Sequence, residues 1–383
     1  MSRIPIFSRW WQRLERHRKS NGRLGFGVLH LDPWLFLALT VTMAGGLVVL
    51  YSASGEARLY VEAQALRFAA AFIVMALIAQ IPPLTMQRWA PVLYVAVLAM
   101  LVAVAATGYH AMGAKRWLEI PGVMRFQPSE LMKIVMPMTL ASFLSRRSIP
   151  MSWPDLGICV LIMLVPVGLI AKQPDLGTSL LVFAAAVFVI FLAGISWRLV
   201  TCCVIVIGSA LPLLWLNMHD YQRQRVLTFI NPEMDPLGSG WNIIQSKTAI
   251  GSGGLFGKGW MDGTQSQLQF LPERHTDFIV AVLAEEFGLV GMTLLMIGYL
   301  MIVGRGLYMA YQAHDTFGRL LGGSLILTFF IYVFVNIGMV SGLLPVVGVP
   351  LPLISYGGTS SITLMAGFGV MMSIYTHRKL LRH

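Results

Sequence analysis

The stretch Asp277–Ile302, DFIVAVLAEEFGLVGMTLLMIGYLMI, decides the fold. Beyond Asp277 it carries charge only at Glu285 and Glu286. A helix needs about 20 apolar residues to cross the hydrocarbon core of a bilayer, and this run exceeds that. Just ahead of it, LPERHT (Leu271–Thr276) crowds Glu273, Arg274 and His275 against its mouth. A charge at the bilayer centre costs roughly 3 kcal/mol even on insertion scales, so the charges in and beside this run need a reason to be there. The pattern reads as a membrane span whose outer end is chemically equipped.

The rest of the chain has the same character. Its 383 residues are 56% hydrophobic and only 12% charged, with a mean hydropathy of +0.72. A soluble domain carries about 25% charged residues, so a soluble globular fold is excluded. Cys159, Cys202 and Cys203 all lie in apolar runs, where cysteine acts as a small buried hydrophobe, and they have no metal-ligand spacing. Basic residues run from Arg3 to Arg23 with no small-residue cleavage site after the first apolar run, which is expected to stay as an uncleaved anchor.

Ten spans emerge at 33–52, 68–84, 88–107, 129–146, 154–171, 178–197, 199–217, 277–302, 319–340 and 356–375. The expected fold is an all-α integral membrane protein: one polytopic domain over 1–383, a basic cytoplasmic segment at 1–32, and one large extracytoplasmic loop at 218–276. With the N-terminus inside, sixteen of the 28 Lys and Arg residues fall on the cytoplasmic side, which places both termini there. The short outer loop 108–128 nonetheless holds Lys115, Arg116 and Arg125, against that rule. Cations gathered outside suit an anionic ligand such as a phosphate or pyrophosphate.

The motifs divide into the weak and the informative. GSGGLFGKGW (Gly251–Trp260) has a glycine-rich look but lacks the spacing and preceding strand of a phosphate-binding loop, so nucleotide binding is rejected. Between the glycine-rich stretches, WNIIQSKTAI (Trp241–Ile250) has helical periodicity. FQPSELMKIV (Phe126–Val135) places Ser129 as a helix N-cap, with Glu130 and Lys133 at i and i+3 on one face. The pair is either a salt bridge that makes both charges tolerable or a cavity lining that meets a polar ligand. Asp175 opens a span, as a helix cap or as a site residue. Arg223 and Arg225 in YQRQRV offer guanidinium forks to phosphate. LLPVVGVPLPLISYGGTSS (Leu343–Ser361) cannot be one helix, and irregular backbone at membrane depth persists only when buried or lining a cavity. Asp277 stands eight residues from Glu285, too far for a tight carboxylate pair, which leaves it as a cap or a single general base. His275 is the other base candidate in reach.

Long motifs across the chain resemble the SEDS family of bacterial polytopic glycosyltransferases. They are RFQPSELMK (from Arg125), QPDLGTSLL (from Gln173), HDYQRQRV (from His219), IIQSKTAIGSGGLFGKGW (from Ile243), GTQSQLQFLPERHTDFIVAVLAEEFG (from Gly263) and NIGMVSGLLPVVGVPLPLISYGG (from Asn336). The QSKTAIGSGGL and PVVGVPLPL blocks look like the elongation branch of that family. The resemblance implies polymerisation of lipid II into glycan strands on the outer face of the cytoplasmic membrane. It implies Asp277 as the catalytic base, deprotonating the 4-hydroxyl of the acceptor sugar in an inverting transfer with undecaprenyl diphosphate as leaving group. It further implies site roles for Glu130, Lys133 and Asp175; Lys115, Arg223, Arg225, Lys247, Thr264 and His275 are the other expected substrate-binding residues. A divalent cation, Mg or Mn, is expected to help the diphosphate leave; no organic cofactor and no nucleic acid are expected. Expected partners are lipid II, the growing glycan, a class B penicillin-binding protein and other elongation-complex membrane proteins. Gln269 stands where relatives often have Glu, and Ala63 and Gln64 follow Glu62 where many have a basic residue, a role left to Arg67. A lipid II flippase and a scaffold that activates a transpeptidase are the rival readings. A flippase needs polar groups accessible from both membrane faces, whereas docking alone gives no reason for Asp277.

Overall fold

A computed structural model describes residues 29–111, 114–120, 124–195, 239–267 and 273–377, with isolated positions between 201 and 231. The framework is helical: α1 (Pro33–Ala53), α2 (Arg58–Ala79), α3 (Pro83–Thr107), α4 (Pro128–Leu144), α5 (Trp153–Lys172), α6 (Leu176–Leu192), α7 (Ser239–Ser252), the single turn α8 (Thr264–Gln267), α9 (Ile279–Tyr311), α10 (Thr316–Val340) and α11 (Thr359–Thr376). Six of these, α1, α2, α3, α5, α9 and α10, are long and apolar enough to cross a membrane. The expected seventh span at 199–217 falls largely outside the described residues, as do Cys202 and Cys203.

Three features differ from the sequence reading. The loop 108–128 is not irregular: it forms a small antiparallel meander, β1 (Tyr109–Ala111), β2 (Ala114–Ile120) and β3 (Met124–Phe126), so the chain is not purely helical. α2 begins at Arg58, ten residues before the expected span, because its polar first half packs on the loop before α11. Gln127 rather than Ser129 occupies the N-cap of α4; Ser129 lies in the first turn, and its buried hydroxyl has no partner.

Helix starts follow their local chemistry. Asp32 accepts from Leu35 N at 2.9 Å to cap α1, Pro33 fills its first turn, and Asp315 caps α10 through Gly318 N at 3.3 Å. Two large apolar clusters hold the bundle. One joins α1, α2, α9, α10 and α11 around Leu35, Met75, Ile302 and Met365; the other joins α3, α4, α5, α6 and α10 around Leu101, Met136, Val182 and Leu321. At the end of the bundle where α1 begins and α11 finishes, Arg305 grips Asp32 with Nη2–Oδ2 at 2.6 Å and Nε–Oδ1 at 3.0 Å. The guanidinium also lies 5.4 Å from the ring centroid of Tyr375 on α11. These contacts fasten α1, α9 and α11 at one end and leave the other end to build a site.

Candidate active site

Pro345, Pro350 and Pro352 remove three amide donors from the 341–358 segment, so it cannot continue as helix or be sealed by its own backbone. It folds back into the bundle and meets the turn before α9. Three successive carbonyls there are held from distant parts of the chain. His275 O accepts from Tyr356 N at 2.9 Å, Thr276 O from Ser355 Oγ at 2.6 Å, and Asp277 O from Asn336 Nδ2 at 3.0 Å. Asn336, fully buried on α10, also donates from Nδ2 to Val349 O at 2.6 Å. Leaving a buried carbonyl unpaired costs about 1–3 kcal/mol, so the direction in which Asp277 leaves the backbone is set firmly.

The Asp277 Oδ2 lies 3.6 Å from the point a Cβ on Gly348 would occupy. Gly348 lines a cavity of about 200 Å³, so the carboxylate stands next to a residue of the cavity wall without itself lining that space. Arg116, Gln127, Glu130, Asp175 and Tyr332 form other parts of the wall, and the Gly357–Ser360 stretch closes it.

The floor is a polar layer. Lys133 Nζ donates to Glu130 Oε1 at 2.8 Å and lies equally close to Oε2, while Thr363 Oγ1 donates to Oε2 at 2.9 Å. The Lys133 ammonium sits 4.8 Å from the Tyr332 ring centroid, and Tyr332 OH pairs with Ser360 Oγ at 3.0 Å. The Glu130–Lys133 pair is a buried salt bridge, and Glu130, though not Lys133, lines the cavity. On the other side of this layer lies a crevice of about 40 Å³, walled mainly by apolar side chains such as Leu325, Phe329 and Phe368, with Lys133, Thr328 and Thr363 also on its surface.

Asp175 is a helix cap at the cavity wall. It caps α6 through Thr178 N at 3.3 Å, accepts from Gln127 Nε2, and lines the cavity. Arg116 donates from Nε to Gln173 O at 3.1 Å and from Nη2 to Pro174 O, which stitches β2 to the turn between α5 and α6. Lys115 lies on β2 beside it.

Other sequence candidates fall elsewhere. Thr264 accepts from Lys258 Nζ at 2.7 Å and donates to Glu285 Oε1 at 3.1 Å, in a separate cluster. Lys247 is exposed on α7 and passes over Gly342, where a Cβ would lie 2.1 Å from its Cε. His275 sits among aromatic rings, 5.5 Å from Tyr60 and 6.1 Å from Tyr356 between centroids. Burial, and then Arg274, hold its imidazole below the usual value against an opposing pull from Glu273. None of these three lines the cavity. Arg223 donates to Leu216 O at 2.7 Å; Arg225 and Gln269 lie outside the described residues. Arg67 lies behind the wall, 4.4 Å over the Tyr356 ring.

Tyr332 and Asn336 are the residues sequence reasoning missed. Their signal was present: an amide and a phenol inside the apolar run FFIYVFVNIGMV (Phe329–Val340) are polar groups at membrane depth, which mark a cavity or a buried partner.

The donor set for a divalent cation does not gather here. Among the described residues, no three His, Cys, Asp or Glu side chains come together as a metal cluster. Glu130 is taken by Lys133 and Thr363, and Asp175 by Thr178 and Gln127. Among the described residues, therefore, no protein-built cage for the expected Mg or Mn stands around Asp277.

The FtsW/RodA/SpoVE family profile, described as a cell cycle protein, matches residues 32–380. The chain belongs to this family. The peptidoglycan glycosyltransferase MrdB of Escherichia coli K12 is 54% identical over 354 residues, 92% of this chain and 95% of that protein. A probable peptidoglycan glycosyltransferase FtsW of Trichlorobacter lovleyi is 35% identical over 94% of this chain and 96% of its own. Among solved structures, a chain from work on the structural coordination of polymerization and crosslinking by a peptidoglycan synthase complex superposes with a TM-score of 0.81 at 31% identity, covering 91% of this chain and 98% of that one. The rod shape determining protein RodA of Thermus thermophilus gives a TM-score of 0.70 at 30% identity, over 91% of this chain and 97% of that one. The family's fold, a multi-pass helical bundle, is thus the fold described above.

Proposed function

We propose that Asp277 is the general base with which this peptidoglycan glycosyltransferase of the FtsW/RodA/SpoVE (SEDS) family extends glycan strands from lipid II, in cell elongation and the maintenance of rod shape. The observation that carries this reading is the Asp277 carboxylate beside Gly348 of the cavity wall, on a turn whose three carbonyls are held from distant parts of the chain. In the reaction, Asp277 accepts the proton of the acceptor sugar's 4-hydroxyl. The oxygen attacks the anomeric carbon of the donor from the face opposite the leaving group, and the bond to undecaprenyl diphosphate breaks with inversion. A single carboxylate suffices, because the nucleophile is a sugar hydroxyl and needs only deprotonation.

Arg116, at the wall, is placed to meet diphosphate charge, and Glu130, Lys133 and Asp175 contribute polar wall and floor to the substrate space. The proposed topology has ten spans in the bacterial inner membrane, both termini in the cytoplasm and the cavity open to the extracytoplasmic face. The proposed partners are a class B penicillin-binding protein, supported by the likeness to a peptidoglycan synthase complex, and other elongation-complex membrane proteins.

The test is glycan polymerisation from purified lipid II by the chain co-purified with its transpeptidase, comparing wild type with Asp277→Asn. Loss of polymer with lipid II binding retained is expected. Equal polymer from both proteins would return the flippase and scaffold readings to the front.

A further inference from the structure

The glycine-rich stretch Gly251–Trp260 and the buried carboxylate of Glu285 have no part in the reaction described above, yet they meet. α9 is broken at Gly288, whose φ of +61° an L side chain rarely adopts. The break strips nearby backbone groups of helical partners at membrane depth, and the glycine-rich strand supplies new ones. Lys258 N donates to Glu285 O at 3.0 Å and Gly259 N to Glu286 O at 3.1 Å; in return Leu289 N donates to Gly254 O at 3.0 Å and Val290 N to Leu255 O at 3.1 Å. The approach is so close that a Cβ on Gly257 would lie 2.0 Å from Glu286 O.

The Glu285 side chain does something further. Its Oε1 accepts from Lys258 Nζ at 2.8 Å, Thr264 Oγ1 at 3.1 Å and Gln265 N at 2.9 Å. Four backbone bonds already tie residues 254–259 to α9, whereas these side-chain bonds reach past that strand to α8. The chain then runs from α8 to Asp277 and back into α9, and Glu285 lies two turns beyond Asp277. Thr264 and Gln265 ahead of Asp277 and α9 after it are therefore both tied to Glu285, so the loop that carries Asp277 is fastened at each end.

We propose that Glu285 and Lys258 form a clasp that positions Asp277 for glycosyl transfer without touching substrate. The proposal rests on the reading of Asp277 as the base. Releasing the clasp leaves the backbone bonds at Gly288 in place, so the protein folds, but the loop gains freedom and Asp277 leaves its reactive geometry for part of the time. A misplacement of about 1 Å can cost on the order of 10²-fold in rate.

The experiment measures kcat, KM and lipid II binding for Glu285→Gln, Lys258→Met, the double variant and Lys258→Arg, in the transpeptidase complex, with Asp277→Asn alongside. Expected are a fall in kcat of roughly ten- to a hundredfold in both single variants with KM and binding unchanged, no further fall in the double variant, and recovery in Lys258→Arg. Folded yield and thermal unfolding are read on each sample. Wild-type kcat in well-folded Glu285→Gln and Lys258→Met, with Asp277→Asn inactive, overturns the clasp alone. A kcat that falls only in step with the folded fraction overturns it equally. An active Asp277→Asn removes the base itself and the clasp's purpose with it.

Discussion

Among the described residues, helical backbone gives way at Gly288 and again between α10 and α11, and the two breaks are handled in opposite ways. At Gly288 the freed groups of α9 are met by another backbone, amide to carbonyl in both directions, and glycines bring the two strands into contact. Between α10 and α11 the segment 341–358 contains three prolines, and side chains from other helices hold its carbonyls: Tyr299 OH on Pro352 O at 2.6 Å, Asn336 on Val349 O, and Gln64 on Gly357 O at 3.3 Å. Backbone-to-backbone closure leaves no space. Side-chain closure from one side leaves the other side of the segment open, and there the cavity forms. Irregular backbone in a membrane must be either buried or cavity-lining, and this protein uses one break for each.

Adding a methyl group to each break tests the contrast most severely. Gly257→Ala must push a Cβ into the Glu286 carbonyl oxygen, so folded protein in the membrane is expected to be largely lost. Gly357→Ala meets nothing within 4 Å and is expected to accumulate like wild type. Quantifying folded protein in detergent extracts checks both, and equal yields would erase the distinction.

A smaller effect is expected at the open break. Asn336→Leu strips the Asp277 and Val349 carbonyls of their shared donor, at about 1–3 kcal/mol for each buried group left unpaired. The unfolding temperature should drop, and kcat should drop further than the folded fraction, because the lost bond is the one nearest the carboxylate. Steady-state polymerisation alongside thermal melts separates the two.

The smallest effect concerns pH. His275, whose carbonyl joins the open break, has its imidazole held below the usual 6.5 by burial and then Arg274. A depressed folded value means the unfolded chain binds the proton more readily. This group's contribution is therefore present above about pH 6.5 and is lost as pH falls below that through the lower folded value. His275→Gln should flatten the decline in melting temperature between pH 7.5 and 5.5 only slightly; an unchanged slope would place the sensitivity elsewhere.

Local pattern was enough for several features. The apolar runs marked the helices around Leu39, Met163 and Ile302, because lipid demands continuous apolar surface wherever a helix crosses. The i, i+3 spacing of Glu130 and Lys133 placed them on one helical face, and they do pair. The helix at Ser239–Ser252 followed from the periodicity of WNIIQSKTAI. What failed was polar sequence with a distant purpose. Gln64 and Arg67 obscured the start of α2, because hydropathy cannot see that Gln64 bonds to residues 355 and 357, about 290 positions away. GSGGLFGKGW was recognised only for what it is not, since its partner strand is the broken helix itself.

Composition and period by themselves determined a basic, helical membrane protein with Glu130 and Lys133 paired on one helical face. That much follows from short-range physics: bilayer thickness, helical repeat and the cost of unpaired charge. Only the tertiary structure decided that Asp277 stands beside Gly348 of the cavity wall, that Asn336 and Ser355 hold the Asp277 and Thr276 carbonyls, and that Lys247, Thr264 and His275 stand apart from the cavity lining. Those outcomes depend on contacts between residues scores of positions apart, made where two interrupted helices need partners that their own neighbours in sequence do not provide.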